Sequence, residues 1–334
     1  IPTADTIIEV GPDNTIRDIP PRAALRRGQT PQAFRASVIR AAYEKAVRDP
    51  DFTATDDCTV VLRYCPETPI WVVPGDERNL KVTEPIDLYL ADKLFQLTVR
   101  DQPRASSEEQ LRDALDGRTL VVFGGSYGIG GDIADLARAH GADVHVFSRS
   151  STNTHVERRA DIAAAAEQVL EKTGRVDFVV NTAGVLPRGP LLETSEEAVY
   201  SATEINYLAP VFIAQQFFPL LAETRGSLLL FTSSSYTRGR GGYSLYSSAK
   251  AAVVNLTQAL ADEWAAEGVR VNCLNPGRPP TPMRPRAFGD EPPATLLDPQ
   301  TVARCSLDIL VSGQTGHIVD VRKDDPFAAV VEQA

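Results

Sequence analysis

The chain has 334 residues, 43% of them hydrophobic and 23% charged, which suits a soluble protein too long for one core and points to two domains. A net charge of −10 argues against a nucleic-acid-binding surface, since phosphate binding needs a clustered positive field. No apolar run approaches the roughly 20 residues that span a bilayer, so no membrane domain is expected.

The chain starts Ile1-Pro2-Thr3-Ala4-Asp5, without Met, a basic n-region or an apolar h-region. This is not a signal peptide and reads like a cut end. Cys58, Cys65, Cys273 and Cys305 show neither paired zinc spacing nor the density of a disulfide framework. The expectation is no metal and a reducing, cytoplasmic location.

In residues 1 to about 100, short apolar runs (Thr59 to Tyr64, Ile70 to Val73) alternate with helical patterns, as in α/β material. The polar stretch Arg100 to Ser107 reads as a linker. Ser106 or Ser107 can cap a joining helix over Glu108 to Leu115.

From Thr119 the pattern turns regular. Apolar runs at Leu120 to Phe123, Val144 to Phe147, Phe178 to Asn181, Ser227 to Thr232 and Arg270 to Leu274 alternate with amphipathic helices. That order implies an α/β fold of Rossmann type, a doubly wound parallel sheet covered on both faces. Pro276 to Pro299, rich in Pro and Arg, is expected to form a loop near the site.

The first of these strands runs into Gly124-Gly125-Ser126-Tyr127-Gly128-Ile129-Gly130, followed by a helix over Asp132 to His140. Such glycines let the backbone turn tightly and bring helix N–H dipoles against a pyrophosphate. After the second strand, where an NAD-preferring site places an acidic residue, stand Ser148 and Arg149. A guanidinium beside hydroxyls suits a 2′-phosphate, so NADPH is expected over NADH.

Tyr246-Ser247-Ser248-Ala249-Lys250 sets a tyrosine and a lysine four apart on one helix face, with Ser233 at the end of an earlier strand. Carbonyl reduction needs a hydride donor and an acid for the developing alkoxide. A phenol with a pKa near 10 is a reluctant acid, and a neighbouring ammonium is expected to lower it. Ser234 and Ser235 are alternatives to Ser233.

The glycine loop, Asn181-Thr182-Ala183-Gly184, Asn206, Ser233, Tyr246, Lys250 and Asn275-Pro276-Gly277 stand in the order and spacing of the short-chain dehydrogenases/reductases, which this region resembles. Phe123 and Thr182 depart from the family pattern. The resemblance implies Tyr246 as proton donor and Ser233 as the group orienting the carbonyl. Lys250 would also hold the nicotinamide ribose, and Asn206 a water that resupplies protons. It further implies cofactor contacts from Asp161, from Asn181 to Gly184 (Ala183 included), and from Pro276, Gly277 and Thr281.

Residues 1 to about 97 resemble a second family. Asp5-Thr6-Ile7, Gln29 to Phe34, Thr55-Asp56-Asp57 and Asn79 to Leu88 match the C-terminal half of sugar-alcohol-phosphate cytidylyltransferases. The resemblance implies a dimer arm over Asp5 to about Arg27, and sugar-phosphate contacts from Thr6, Arg22 and Lys81. The half of that family that binds CTP is not among these residues, so the chain as written is not expected to transfer cytidylyl groups. A divalent metal such as Mg would serve only the intact domain.

The boundaries that follow are 1–99 for the cytidylyltransferase portion, 100–117 for linker and joining helix, and 118–334 for the reductase. The fusion resembles the bifunctional CDP-ribitol synthases, which implies reduction of ribulose 5-phosphate to ribitol 5-phosphate by a homo-oligomer, dimer or tetramer. Arg188, Arg238, Arg240, Arg278, Arg284 and Arg286 flank the expected carbonyl site, and Arg188, Arg278 and Arg284 are the candidates for substrate phosphate. Competing readings are a reductase of another polyol precursor or non-phosphorylated ketone, and a non-catalytic nucleotide-binding assembly protein.

Overall fold

The computed structural model describes residues 1–77, 79–98, 105–289, 291–292 and 295–323, and the chain divides into two compact units, Ile1–Gln96 and Leu97–Ala334. The expected linker residues 100–104 lie outside the described residues.

In the first unit, β1 (Glu9–Val10) and β2 (Ile16–Asp18) pair antiparallel. Their turn is closed by Gly11 N donating to Thr15 O at 2.9 Å and by Asp13 accepting from the Thr15 hydroxyl at 2.8 Å. Three helices follow: α1 (Ala36–Ala46), α2 (Asp57–Tyr64) and α3 (Pro85–Thr98). The apolar run Thr59 to Tyr64 is therefore helical and not a strand. Asp56 caps it, accepting from Thr59 N at 2.9 Å, and Val60 and Val61 bury themselves against Ala42 and Ala46 of α1. Ile70 to Val73 forms no regular element, and Trp71, Val72 and Val73 are exposed.

The second unit opens with α4 (Glu108–Leu115), where Ser107 and Gln110 form a reciprocal capping box. Leu111 and Leu115 are fully buried in the core of this unit. Ser106 N donates to Asp308 Oδ1 at 3.0 Å, and Glu108 contacts both Arg304 and His140. This helix is thus built into the reductase unit.

Then follow β3 (Thr119–Phe123), α5 (Gly128–Ala139), β4 (Asp143–Phe147), α6 (Arg159–Thr173) and β5 (Phe178–Asn181). After these come α7 (Glu196–Thr203), a π-helical turn over Glu204–Leu208, α8 (Ala209–Thr224), β6 (Ser227–Phe231) and α9 (Ser244–Glu263). Last are β7 (Arg270–Pro276), α10 (Met283–Phe288), α11 (Pro299–Val311) and β8 (Ile318–Val321). The six strands pair parallel in the order β4-β3-β5-β6-β7-β8.

One sheet face packs on α6, α8 and α9, the other on α4, α5 and α11, giving two separate apolar cores. Because the chain moves from β3 out to β4 and back to β5, the strand order reverses between β3 and β5. A crevice opens there beyond the carboxyl ends of the strands.

The helix Glu196–Thr224 is long and apolar enough to cross a membrane by length and composition, which corrects the expectation that nothing approaches that length. Here its apolar side is spent on the sheet. Ile205, Ala209, Ile213, Phe217 and Leu221 are buried in the core beside Phe123 and Leu228.

Candidate active site

The crevice is a cleft of about 800 Å³, walled by the loops after β3, β4, β5, β6 and β7. At its floor Gly124 (φ +80°) and Gly128 (φ +62°) take left-handed conformations that favour glycine. A Cβ on Gly130 would lie 2.4 Å from Thr182 Oγ1 and 2.7 Å from Gly124 O. Helix α5 therefore closes tightly on the β5 loop. It begins at Gly128, four residues before the expected start, and Tyr127 at its N-cap makes no side-chain capping bond. The first-turn N–H groups thus point to the cleft without a side-chain cap, a cradle that fits a dinucleotide pyrophosphate.

The two departures from the family pattern meet here. Thr182 Oγ1 donates to Phe123 O at 3.0 Å, and the Phe123 ring, fully buried, packs on Phe147 and Phe217 at 5.7 and 5.6 Å. Both residues act in packing and hold the β3–β5 loops together.

Beyond β4, Ser126, Ser148 and Arg149 line the cleft as the sequence led one to expect. Ser148 Oγ bonds Ser150 and Ser151 at 3.2 and 2.8 Å. Arg149 is exposed and makes no hydrogen bond or ion pair among the described residues. Asp161 does not line the cleft. Its Oδ2 accepts from His155 N at 2.8 Å, because the turn before α6 needs an acceptor there. Thr154, His155, Val156 and Glu157 form that wall instead, with His155 Nδ1 and Glu157 Oε1 3.1 Å apart. Their only sequence signal was proximity to Asp161.

Asn181 also stays off the cleft surface. It is buried and its Oδ1 accepts from Ala183 N at 3.1 Å, so that Ala183 and Gly184 form the wall. Pro276, Gly277 and Thr281 line the opposite side, and Ile129 the floor.

Ser233, Tyr246 and Lys250 come together in this cleft from β6 and α9. Ser233 ends the strand and caps a short 3-10 turn, with Ser235 N donating to its hydroxyl at 3.4 Å. Ser234 lines the cleft as well, whereas Ser235 is buried behind it. Lys250 is 6% exposed, and its Nζ donates to Phe231 O at 2.8 Å and lies 5.7 Å from the Tyr246 ring centre.

Burial pushes the Tyr246 phenol up to about 12, and its hydrogen bond with Ser233 only partly offsets this. Burial also brings the Lys250 ammonium down to about 8. The expected lowering of the tyrosine by the lysine is therefore not realised in this structure. One N–H of the ammonium donates to a strand carbonyl, and desolvation by burial, which penalises both charged forms, outweighs the other influences.

Asn206 sits fully buried in the π turn, with Nδ2 donating to Val185 O at 2.8 Å and Oδ1 accepting from Val185 N at 3.0 Å. It clamps the β5 loop against this helix. A Cβ on Gly184 would lie 3.2 Å from Asn206 Oδ1 and 3.9 Å from Lys250 Nζ, so the asparagine oxygen and the ammonium share one neighbourhood.

The arginines divide. Arg188 does not line the cleft; its guanidinium rests on the rings of Tyr243 and Phe288, at 5.1 and 4.9 Å. Arg284 lines it but is paired with Glu291, Nη2 to Oε1 at 2.9 Å. This pairing holds the Glu291 carboxyl below the ordinary carboxylate range. Arg240 and Arg278 line it without an ion pair among the described residues, Arg238 lies off it, and the Arg286 side chain is outside the described residues. Tyr243, Phe288 and Glu291 are cleft residues that the sequence did not single out.

In the first unit, Arg22 Nη2 donates to Thr6 Oγ1 at 3.0 Å, and Lys81 is exposed without a hydrogen bond to either.

Residues 124–298 match the family model described as enoyl-(acyl carrier protein) reductase, and residues 1–97 that of 2-C-methyl-D-erythritol 4-phosphate cytidylyltransferase. Over 330 residues the chain is 44% identical to the bifunctional ribulose 5-phosphate reductase/CDP-ribitol pyrophosphorylase of Haemophilus influenzae, covering 98% of this chain and 69% of that protein. A cytidylyltransferase of Thermobifida fusca is 52% identical over 103 residues, 30% of this chain and 41% of the relative. A short-chain dehydrogenase structure from Shigella flexneri, complexed with NADP, superposes with TM-score 0.58 at 28% identity, over 63% of this chain and 98% of that one. The chain belongs to the short-chain dehydrogenase/reductase family, as a nicotinamide-dependent oxidoreductase joined behind a cytidylyltransferase-type segment in the manner of the bifunctional reductase/pyrophosphorylases.

Proposed function

We propose that this protein reduces the keto group of a sugar phosphate with NADPH, and that the substrate is D-ribulose 5-phosphate, giving ribitol 5-phosphate. The observation that carries the reading is the convergence of Ser233, Tyr246 and Lys250 with two cleft arginines, Arg240 and Arg278, that form no ion pair among the described residues, in the cleft that opens from the glycine loop. The bifunctional relative's name supplies the sugar. Arg149, exposed beside serines at the end of β4, supports NADPH over NADH, since a guanidinium can take the 2′-phosphate by paired hydrogen bonds.

Bound nicotinamide supplies a hydride to the carbonyl carbon. The chain's own groups manage the oxygen. Ser233 Oγ–H donates to the carbonyl oxygen and fixes its direction. The Tyr246 hydroxyl gives its proton to that oxygen as the negative charge develops, leaving a phenolate. Such a phenolate is costly in this buried setting, with the phenol at about 12. Lys250, one N–H of which donates to the Phe231 carbonyl, has two more to offer and would hold the ribose of a bound nicotinamide cofactor while its charge faces the phenolate. A nearby positive charge favours the ionised phenol and so makes the proton easier to release. Asn206, on the neighbouring π turn, is assigned to the path by which the proton is restored.

The cytidylyltransferase-type segment would take its sugar phosphate at Thr6, Arg22 and Lys81, and cytidylyl transfer there would use a divalent metal such as Mg. A cytoplasmic location suits the four cysteines, which are free thiols here, and a homo-oligomer, dimer or tetramer, is proposed for the assembly. NADPH oxidation followed at matched concentrations of ribulose 5-phosphate and ribulose tests the reading. A kcat/KM at least about tenfold higher for the phosphorylated sugar is expected, the worth of one charge-assisted contact. Equal efficiency on both would sink the phosphate assignment.

A further inference from the structure

Of the arginines expected to meet substrate, Arg284 is the one paired with a carboxylate among the described residues, and that carboxylate also belongs to the cleft wall. Glu291 sets Oε1 against Nη2 at 2.9 Å and Oε2 against Nε, so two oxygens lie side by side on a planar fork. A phosphate ester presents the same two-oxygen face to a guanidinium. Arg278 lines the same wall and adds its positive field at Glu291. The Phe288 ring, also in the cleft wall, lies 5.0 Å from the Arg284 guanidinium. Both members of the pair are mostly buried, with side chains 17% and 20% exposed.

We infer that Glu291 tunes this cleft's preference for a phosphorylated substrate: its carboxylate occupies the anion subsite of Arg284 beside Arg278, and a ketose phosphate gains that subsite only by displacing it, so Glu291 weakens phosphate binding. The inference rests on the sugar-phosphate reading above. A dianion is attracted to the same two cations about twice as strongly as a monoanion at equal distance. Glu291 keeps enough contact with water to be released without leaving a buried, unpaired charge. A neutral ketose brings nothing to replace the carboxylate, so the Arg284–Glu291 pair stays in place and binding of that ketose does not depend on Glu291. No covalent step is involved.

The test uses the full chain loaded with NADPH, which fills the cofactor's own phosphate site. Glu291→Gln removes the competing charge while keeping shape. It should lower KM for ribulose 5-phosphate about fivefold, the worth of one partly exposed ion pair. The ratio of kcat/KM for phosphorylated over unphosphorylated ribulose should rise by the same factor, and Glu291→Asp, which keeps the charge, should fall between wild type and Gln. Inorganic phosphate, titrated calorimetrically, should bind the Gln variant about fivefold tighter than wild type. An unchanged or higher KM together with unchanged phosphate affinity would overturn the inference and leave Glu291 as a loop anchor. If wild type reduces no ribulose 5-phosphate, the sugar-phosphate reading fails by itself. The phosphate titration then decides Glu291 separately.

Discussion

Replacing Lys250 by Met tests the electrostatics of the site apart from its chemistry. Burial holds the lysine's pKa at about 8, down from 10.5, with Nζ donating to the Phe231 carbonyl at 2.8 Å. In the unfolded chain the same ammonium titrates near its free value. Between about pH 8 and pH 10.5 the unfolded state therefore binds more protons than the folded one, and stability must rise with pH across that window. Each pH unit inside it is worth about 1.4 kcal/mol, so the gain from pH 8 to pH 9.5 is at most about 2 kcal/mol. Tyr246 works in a separate window. Its pKa is raised from 10.0 to about 12, so its stabilising contribution is whole below pH 10 and is lost only as pH climbs toward 12. Urea unfolding of the cofactor-free protein, followed through Trp264 of the reductase unit in a Trp71→Phe background, reads the effect. Wild type should gain stability from pH 8 to 9.5, and Lys250→Met should lack that increment. The same pH slope in both proteins would refute the buried-ammonium argument.

Tyr246→Phe should cut turnover by about 10² to 10⁴ while NADPH still binds, as measured by nucleotide fluorescence; unchanged turnover would remove Tyr246 from the chemistry. Arg149→Asp should raise the KM for NADPH about 10- to 100-fold and favour NADH, by removing one phosphate contact and adding repulsion. An unaltered NADPH preference would reassign the 2′-phosphate contact. In Gly130→Ala the new Cβ would fall 2.4 Å from Thr182 Oγ1 and 2.7 Å from the Gly124 carbonyl. Overpacking of that kind costs about 1–3 kcal/mol and should lower the melting temperature by about 3–10 °C; a melting curve matching wild type would show that α5 does not close on the β5 loop.

The reductase half was legible because β3, β5 and β6 are fully buried, mostly apolar runs of four or five residues and β7 is buried except at its ends, each stopped by a turn. β8 was missed because Ile318–Val321 is short and contains Asp320, whose carboxylate accepts from Asn275 Nδ2 at 2.6 Å. In the first unit an apolar run by itself did not distinguish strand from helix. The deciding feature at Thr59 to Tyr64 was the cap at Asp56, which turns the valines onto one helical face. The tyrosine, lysine and glycine positions could be read because their spacing along one helix or loop is itself the constraint. The pKa of the tyrosine could not, because it depends on how deeply the fold buries the phenol and on its hydrogen bond with Ser233.

Arginines exposed the same limit more sharply. Arg188, Arg278 and Arg284 carry one charge each and stand in similar Pro- and Gly-rich loops, so sequence alone treats them alike. What separates them is the partner that the fold supplies: two aromatic rings for Arg188, a carboxylate for Arg284, and no ion pair for Arg278 among the described residues. A guanidinium stacked on rings can still donate in its plane, but outside the cleft wall it has no substrate to meet. One bound by a carboxylate must first release it. Arg278 has neither obstacle, so substrate phosphate should engage Arg278 first and recruit Arg284 as Glu291 leaves. The order of engagement follows from these partners, and charge counting along the sequence could not supply it.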